Sequence, residues 1–420
     1  MPDQEPRPSH PERRLTTKEA AELLGVKPET VYAYVSRGQL SSRRTLGGRG
    51  STFDTGEVEA LSRRNRRESA ALSVAGSGGE LSVRTRITLI EPDSYYFRGV
   101  DAIELATRHS YEEIADWLWT EQLHPGITFD APESTVELAR RAVSALPEHT
   151  DPTDRLRVAA IAAATLDPLR FDLSEQAVLG AARSLIPTLV GALPPMLYAP
   201  KGDGPLAHRL WGRLTAREAD EASLAVLDTA LGLLVDHDLA ASTLAVRVAA
   251  SARAHIYAAV SAGLGVLEGP LHGAASGLAH RLIEQVLEQG DAAPVIADEL
   301  RAGRRIPGLG HRLYPREDPR ARALFARLAE LPRAEPALAA ARDIVDTAAR
   351  HTPLHANVDL ALAVLTVSCG MPATAGETVF AVARTAGWIA HALEEYTERP
   401  LRMRPEGQYV GPRPPRPLPK

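Results

Sequence analysis

From Ala102 onward the chain is a succession of helical periods, interrupted at Pro125, Pro132, Pro147, Pro168, Pro194-Pro195, Pro200 to Pro205, Gly269-Pro270, Pro307-Gly308, Pro332 and Pro372. Proline removes a backbone donor and clashes with the preceding turn, and glycine suits the residue after a last turn, so each point closes one helix before the next begins. Only Val83 to Ile90 (VRTRITLI) alternates as a strand or hairpin would; hardly any other stretch has a period of two. Helices must then bury their apolar stripes on other helices, which gives an all-α body. Aromatic residues are only 5% of the chain and alanine is abundant, so close helix packing through small side chains is expected. The longest apolar stretch, residues 242 to 265, reads as one buried helix stopped by Gly269-Pro270. Arg247, Arg253 and His255 inside it argue against a membrane span. The opening MPDQEPRPSHPERR lacks the apolar segment of a secretory signal, and the single Cys369 offers neither an intrachain disulfide nor a metal cluster. A cytoplasmic protein with no bound metal is the expectation.

The 420 residues leave room for two to three domains. Residues 1 to 67 hold 13 Lys or Arg against 9 Asp or Glu, a balance of +4, whereas the remainder holds 35 against 44, or −9. Only the first segment suits a polyanion. Within it, Thr16 with Glu19 forms a capping box, Ala20, Leu23 and Leu24 give an apolar face, and Gly25 stops the first helix. Pro28 opens a second helix through Ser36 that would present Lys27, Glu29, Thr30, Tyr32, Ala33 and Arg37 to a groove. Ser41 to Phe53 reads as a basic hairpin wing, and Thr55 to Arg67 as a last helix. This segment resembles the small DNA-binding domains of the excisionase and MerR type, which implies DNA as a partner of residues 14 to 67; a protein-interaction module is the other reading. Residues 68 to 80 (ESAALSVAGSGGE) read as a flexible linker, and the tail from Pro405 to Lys420 as extended chain.

Five segments of the body carry groups fit for chemistry. The first, residues 268 to 277 (EGPLHGAASG), holds His272 at a break before Ala279 to Gln289, a helical period with His280, Arg281, Glu284 and Gln285 available for a wet face. Free N–H groups and the dipole at a helix start disfavour an imidazolium, so His272 is suited to donating a hydrogen bond while neutral, or merely to bonding a carbonyl. The second is VDHDLAAST with His237; the third, IPGLGHRLYPREDPRAR, contains His311 and Arg320; the fourth, LHANVDL, contains Asp359. The last, Phe380 to Arg404, contains Arg384 and Arg404.

Singly each is a weak signal. In this order, with GPLHG, PGxGHRxY followed by DPR, NVD and AVARTAGWIAH as neighbours, the chain resembles the citrate synthases over about residues 83 to 411; YFRG and HSYEEIADWLW resemble the family's N-terminal part. The resemblance implies a large helical domain (81–275 with 370–420) and a small one (276–369) behind the winged helix-turn-helix domain (1–67). It implies an acyltransferase that condenses acetyl-CoA, or propionyl-CoA, with oxaloacetate, the coenzyme A thioester being a co-substrate rather than a bound cofactor. Asp359 would be the base, neutral His272 would hold the thioester oxygen, and His311 would polarise the oxaloacetate carbonyl. Arg320, Arg384 and Arg404 would bind carboxylates, Arg404 being lent across a homodimer, and His237 would contact the same substrate. Coenzyme A would lie along Pro307, Gly308, Leu309 and Gly310, with Arg312, Arg304 and Arg305 as phosphate partners on charge alone.

The chemistry is consistent with this, since a carbon-bound proton yields to a carboxylate only if the enolate oxygen is stabilised as it forms, and guanidinium groups suit a dianion. Four positions depart from the family's usual residues: Leu234 for histidine, Ala240 for asparagine, Leu360-Ala361-Leu362-Ala363 for aromatics with Ser-Gly, and Glu406 for arginine. They leave room for a different reading, a transcription regulator whose body senses a carboxylate or acyl-CoA.

Overall fold

A computed structural model describes residues 14–24, 31, 34, 35, 40–44, 51–58, 61, 83–196, 204–269, 275–405, 409–412 and 416. The chain divides into two compact units, Met1–Arg84 and Thr85–Lys420.

In the first unit β1 (Arg14–Thr16) leads into α1 (Thr17–Leu24), followed by β2 (Ser42–Arg44) and β3 (Ser51–Asp54). The capping box forms: the Thr16 N–H donates to the Glu19 carboxylate at 2.8 Å, and the Glu19 N–H approaches Thr16 Oγ1 at 3.3 Å. The sheet order is β1-β3-β2, all antiparallel, with Leu15 opposite Phe53, so the expected wing is present. Leu15, Ala20, Ala21, Val31, Leu40, Phe53, Val58 and Leu61 form its core. The expected groove-facing residues Lys27, Glu29, Thr30, Tyr32, Ala33 and Arg37 lie outside the described residues, as do residues 68–80.

The second unit opens with a hairpin, β4 (Thr88–Glu91) on β5 (Ser94–Phe97), extended by β6 (Val100–Asp101). The strand begins at Thr88 rather than at Val83. Helices follow: α2 (Ala102–Arg108), α3 (Tyr111–Thr120), α4 (Glu133–Ser144), α5 (Pro152–Thr165), α6 (Glu175–Ala192), α7 (Leu206–Leu214) and α8 (Glu221–Leu234). Next come α9 (Ala241–Ser251), α10 (Ile256–Leu267), α11 (Ala275–Gln289), α12 (Ala292–Arg301), α13 (Pro319–Leu328), α14 (Glu335–Ala349), α15 (Val358–Ser368) and α16 (Ala375–Tyr396). The centre is α16, on whose buried length Ala381, Val382, Ala383, Ala386, Ile389 and Ala390 admit neighbours closely.

Two expectations need correction. Residues 242 to 265 are two helices, because Arg253 takes a left-handed φ of 62° and His255 caps α10. From that corner Arg253 donates to the carbonyls of Glu395, Tyr396 and Glu398, at and just beyond the end of α16. His280 is not on a wet face: it is buried, with Nδ1 2.8 Å from Thr366 Oγ1.

That contact also fixes the direction of packing. Ser276 and Leu362 meet around Gly376, and His280 meets Thr366 one turn later in both helices, so α11 and α15 run parallel with their N-termini at one end. The start of α16 stands there too, since a Cβ on Gly376 would lie 2.7 Å from Ser276 Oγ.

Candidate active site

The loop Ile306 to Arg316 and the start of α13 carry half of the site. Asp318 caps α13, accepting the Arg320 N–H at 3.0 Å, and grips the Arg320 side chain through Nε at 3.0 Å and Nη2 at 2.7 Å. Its Oδ2 also accepts the Val358 N–H at 3.1 Å, which ties α13 to the first turn of α15. Both side chains are buried. Burial would raise the Asp318 carboxyl, but Arg320 holds it below its ordinary value; burial would lower Arg320, but Asp318 holds it above. The pair therefore stays ionised.

Next to Arg320 stands His311, with Nε2 3.3 Å from its Nη2 and with Nδ1 3.1 Å from the Leu313 N–H. A guanidinium and an amide only donate and a neutral imidazole has one lone pair, so the ring accepts from one of them, the Leu313 N–H at Nδ1, carries its single proton on Nε2, and has no place for a second. Burial, and then Arg320, pull His311 down to about 4. His237 lies edge-on to His311, ring centroids 5.2 Å apart, and its Nε2 is 2.8 Å from the Tyr314 hydroxyl. It is held well below its ordinary value by burial, then by Arg320, Arg384 and His311. His237, His311, Tyr314 and Arg320 are thus in mutual contact.

Arg384 approaches from α16. It is buried, donates from Nε to the Leu234 carbonyl at 2.9 Å, and packs its guanidinium 4.4 Å from the Phe380 ring centre. Burial pulls it down to about 10, opposed by Asp236. Asp359, in the first turn of α15, is half-buried and is pushed up to about 6 by burial; Arg320 opposes this and Asp318 adds to it. Its helix is capped by Asn357, whose Oδ1 accepts the Asp359 N–H at 3.0 Å.

The loop of Pro307, Gly308, Leu309 and Gly310 is zipped onto the segment that precedes Asp359. Gly310 N–H donates to the His355 carbonyl at 2.7 Å, Asn357 N–H to Gly308 O at 3.0 Å, and Asn357 Nδ2 to Gly310 O at 2.9 Å. Gly308 has φ +80° and a Cβ there would lie 2.8 Å from Leu360 Cβ, so this glycine is required by the fold itself, apart from any ligand. Arg312 is exposed, and Arg304 is held by both oxygens of Glu299 at 2.8 Å.

The structure thus brings together His237, His311, Arg320, Arg384 and Asp359. It does not bring Arg404 to them: Arg404 is exposed beyond the end of α16, with no side-chain hydrogen bond or ion pair among the described residues. His272 lies outside the described residues. Tyr314, Asp318 and Asn357 belong to the site without having been assigned a role from sequence. Asn357 had a local signal, an Asn before an apolar run, Asp318 sits before Pro at a helix start, and Tyr314 is the last residue of the PGxGHRxY motif. Of the departures, Leu234 contributes only its carbonyl, to Arg384, and Ala240 caps α9 without a side-chain acceptor.

Comparisons with known proteins agree with this fold. A family profile described as "Citrate synthase, C-terminal domain" matches residues 76–406, and one described as "Helix-turn-helix domain" matches residues 14–66. The chain is 29% identical over 359 residues to "Citrate synthase 2" of Bacillus subtilis, covering 80% of this chain and 95% of that one. It is 27% identical over 362 residues to the "Citrate/2-methylcitrate synthase" of the same organism, covering 80% and 96%. Among solved structures it resembles citrate synthase from Pyrobaculum aerophilum, with TM-score 0.67 and 25% identity, covering 81% of this chain and 93% of that one. It shares the fold of the Thermoplasma acidophilum citrate synthase solved as a ternary complex with carboxymethyl coenzyme A and oxaloacetate, with TM-score 0.65, 23% identity, and coverage of 84% and 98%.

Proposed function

Because the chain belongs to the citrate synthase family, we propose that it condenses an acyl-CoA, acetyl-CoA or propionyl-CoA, with oxaloacetate and hydrolyses the product to citrate or 2-methylcitrate and free CoA. The observation that carries this reading is the meeting of His237, His311 and Arg320 beside the raised carboxyl of Asp359. Asp359 removes a proton from the acyl α-carbon, and the resulting enolate carbon attacks the ketone carbon of oxaloacetate. A carboxyl at about 6 is ionised at neutral pH yet more basic than an ordinary aspartate.

Oxaloacetate carboxylates take Arg320 and Arg384. Once Arg320 turns to a carboxylate, His311 Nε2 is released to face the ketone oxygen and to supply its proton. His272, which precedes Ala275 at the start of α11 in the sequence, holds the thioester oxygen. Water then cleaves the acyl–sulfur bond and CoA leaves as the thiol. Coenzyme A lies along Pro307 to Gly310, with Arg312 at its phosphates; Arg304, already paired with Glu299, is the poorer candidate. Residues 276–369 form a small domain that closes over the large one, excluding water before the enolate forms. The reaction takes place in the cytoplasm.

Arg404 completes the site of a second copy in a homodimer. Supporting this, Ile161, Leu166, Leu169 and Phe171 expose 56, 46, 71 and 67% of their surface; Leu166 and Leu169 line one cavity of about 360 Å³ and Ile161 a second of the same size, with Tyr257 lining both, and a lone subunit would leave these apolar side chains in water. Among the described residues no helix is long and apolar enough to cross a membrane.

The helix-turn-helix unit favours a second activity, duplex DNA binding that the synthase body modulates. Two measurements test these readings on the full chain. Free thiol release from acetyl-CoA or propionyl-CoA must depend on oxaloacetate; a chain that releases none with either is not a synthase. Duplex affinity must fall with a linear log–log slope in salt; no binding at low salt leaves the first unit as a protein-interaction module.

A further inference from the structure

The sequence Arg384-Thr-Ala-Gly387-Trp-Ile-Ala-His391 places an arginine, a glycine and a histidine at i, i+3 and i+7, on one face of α16. That face lies on the segment Leu234 to His237. Arg384 Nε donates to Leu234 O at 2.9 Å, Gly387 approaches so closely that a Cβ would lie 2.2 Å from Val235 O and 2.8 Å from Asp236 Oδ1, and His391 Nε2 stands 3.2 Å from Asp236 Oδ1. Thr88 of β4 donates its hydroxyl to the other oxygen of Asp236. Behind His391, Nδ1 is 2.9 Å from Arg247 Nη1; since a guanidinium only donates, Nδ1 accepts and the ring proton sits on Nε2, the nitrogen on the Asp236 side, close to the carboxylate without a well-aligned hydrogen bond.

The line continues outward. Arg247 pairs with Glu394 and, through Nη2 at 3.0 Å, with Glu395; Glu395 takes both nitrogens of Arg402 at 2.8 and 2.6 Å. One turn past Arg247 on α9, the Ser251 carbonyl accepts the Leu401 N–H at 2.7 Å. Asp236, Arg247, His391 and Glu395 are all fully buried. Buried ions are costly beside an apolar pair of the same shape, and packing α16 on α9 does not require them. One end of this line reaches Arg384 and the other the segment that carries Arg404.

We propose that Asp236, backed by His391 and Arg247, is a positioning residue that fixes Arg384 and the adjacent His237 for the oxaloacetate carboxylates and joins them to the C-terminal segment bearing Arg404. Asp236 is the anion that opposes the loss of Arg384's charge on burial. This rests on the reading of Arg384 as a substrate ligand.

The test uses the full-length Asp236→Asn variant, which keeps the shape and an acceptor for Thr88 but removes the negative charge two residues beyond the Leu234 carbonyl that holds Arg384. The Michaelis constant for oxaloacetate should rise by roughly tenfold or more while that for the acyl-CoA stays within about twofold. His391→Gln, whose amide offers one acceptor and one donor, should restore most of the oxaloacetate affinity that His391→Leu loses; a packing role alone would not separate the two, and this pair decides the matter if Asp236→Asn fails to fold. Equal changes in both Michaelis constants, or no change in either, overturn the inference while the function stands. A wild-type chain that neither binds nor consumes oxaloacetate overturns the function and this inference with it.

Discussion

Replacing Asp359 by Asn should make the protein inactive and, above pH 6, more stable. The carboxyl rises from 3.8 to about 6 on folding because burial disfavours its charge, so the folded state binds its proton more tightly than the unfolded chain does. Below pH 3.8 the group is protonated in both states and contributes nothing. As pH rises through 3.8 to about 6 the unfolded chain loses the proton first and stability falls; above about 6 the full cost is present. A shift of about two units corresponds to roughly 3 kcal/mol, which at ~2.1 cal/mol/K per residue of unfolding entropy moves the melting temperature of a body this size by roughly 4 °C. Melting of wild type and Asp359→Asn at pH 8 and pH 4, with thiol release at pH 8, checks this. Equal melting temperatures at pH 8, or a gain that persists at pH 4, would refute the claim that a buried charge is held there at a cost. The same shift places the acid limb of the wild-type rate near pH 6, with His311, at about 4, neutral throughout.

Three further outcomes follow from the packing. Asp318→Ala leaves Arg320 buried without its anion and frees the Val358 N–H, so denaturant titration should show a loss of ~3–5 kcal/mol, with oxaloacetate affinity falling alongside. Gly387→Ala puts a methyl group 2.2 Å from Val235 O, and moving α16 off that segment should cost ~1–3 kcal/mol or more and weaken oxaloacetate binding more than acyl-CoA binding. Leu169→Asp with Phe171→Asp should lower the mass measured by light scattering from two copies to one and abolish turnover, if Arg404 reaches its partner's site across that patch.

The helical body, most of its breaks and the site motifs were legible because each is local: proline and glycine stop most of the helices, although Pro187 lies inside α6, and Asn357 caps α15 from two residues away. The split of residues 242 to 265 was not, since Arg253 keeps its left-handed backbone for the sake of carbonyls at Glu395 to Glu398, far along the chain. His280 looked wet by spacing and proved buried because α15 lies parallel on that side. The glycines of Pro307 to Gly310 suggested room for a ligand, whereas Gly308 is also where Leu360 comes closest.

The helical type of the body, most of its breaks, and which residues are able to do acid–base work or bind a dianion, are properties of side chains and their near neighbours, and the amino-acid sequence by itself determined them. Which of those residues meet, and in what state of charge, only the tertiary structure decided. Burial and a fixed partner set the ionisation of Asp359, His311 and Arg320, and both depend on groups more than a helix apart along the chain that only packing brings within a few ångströms.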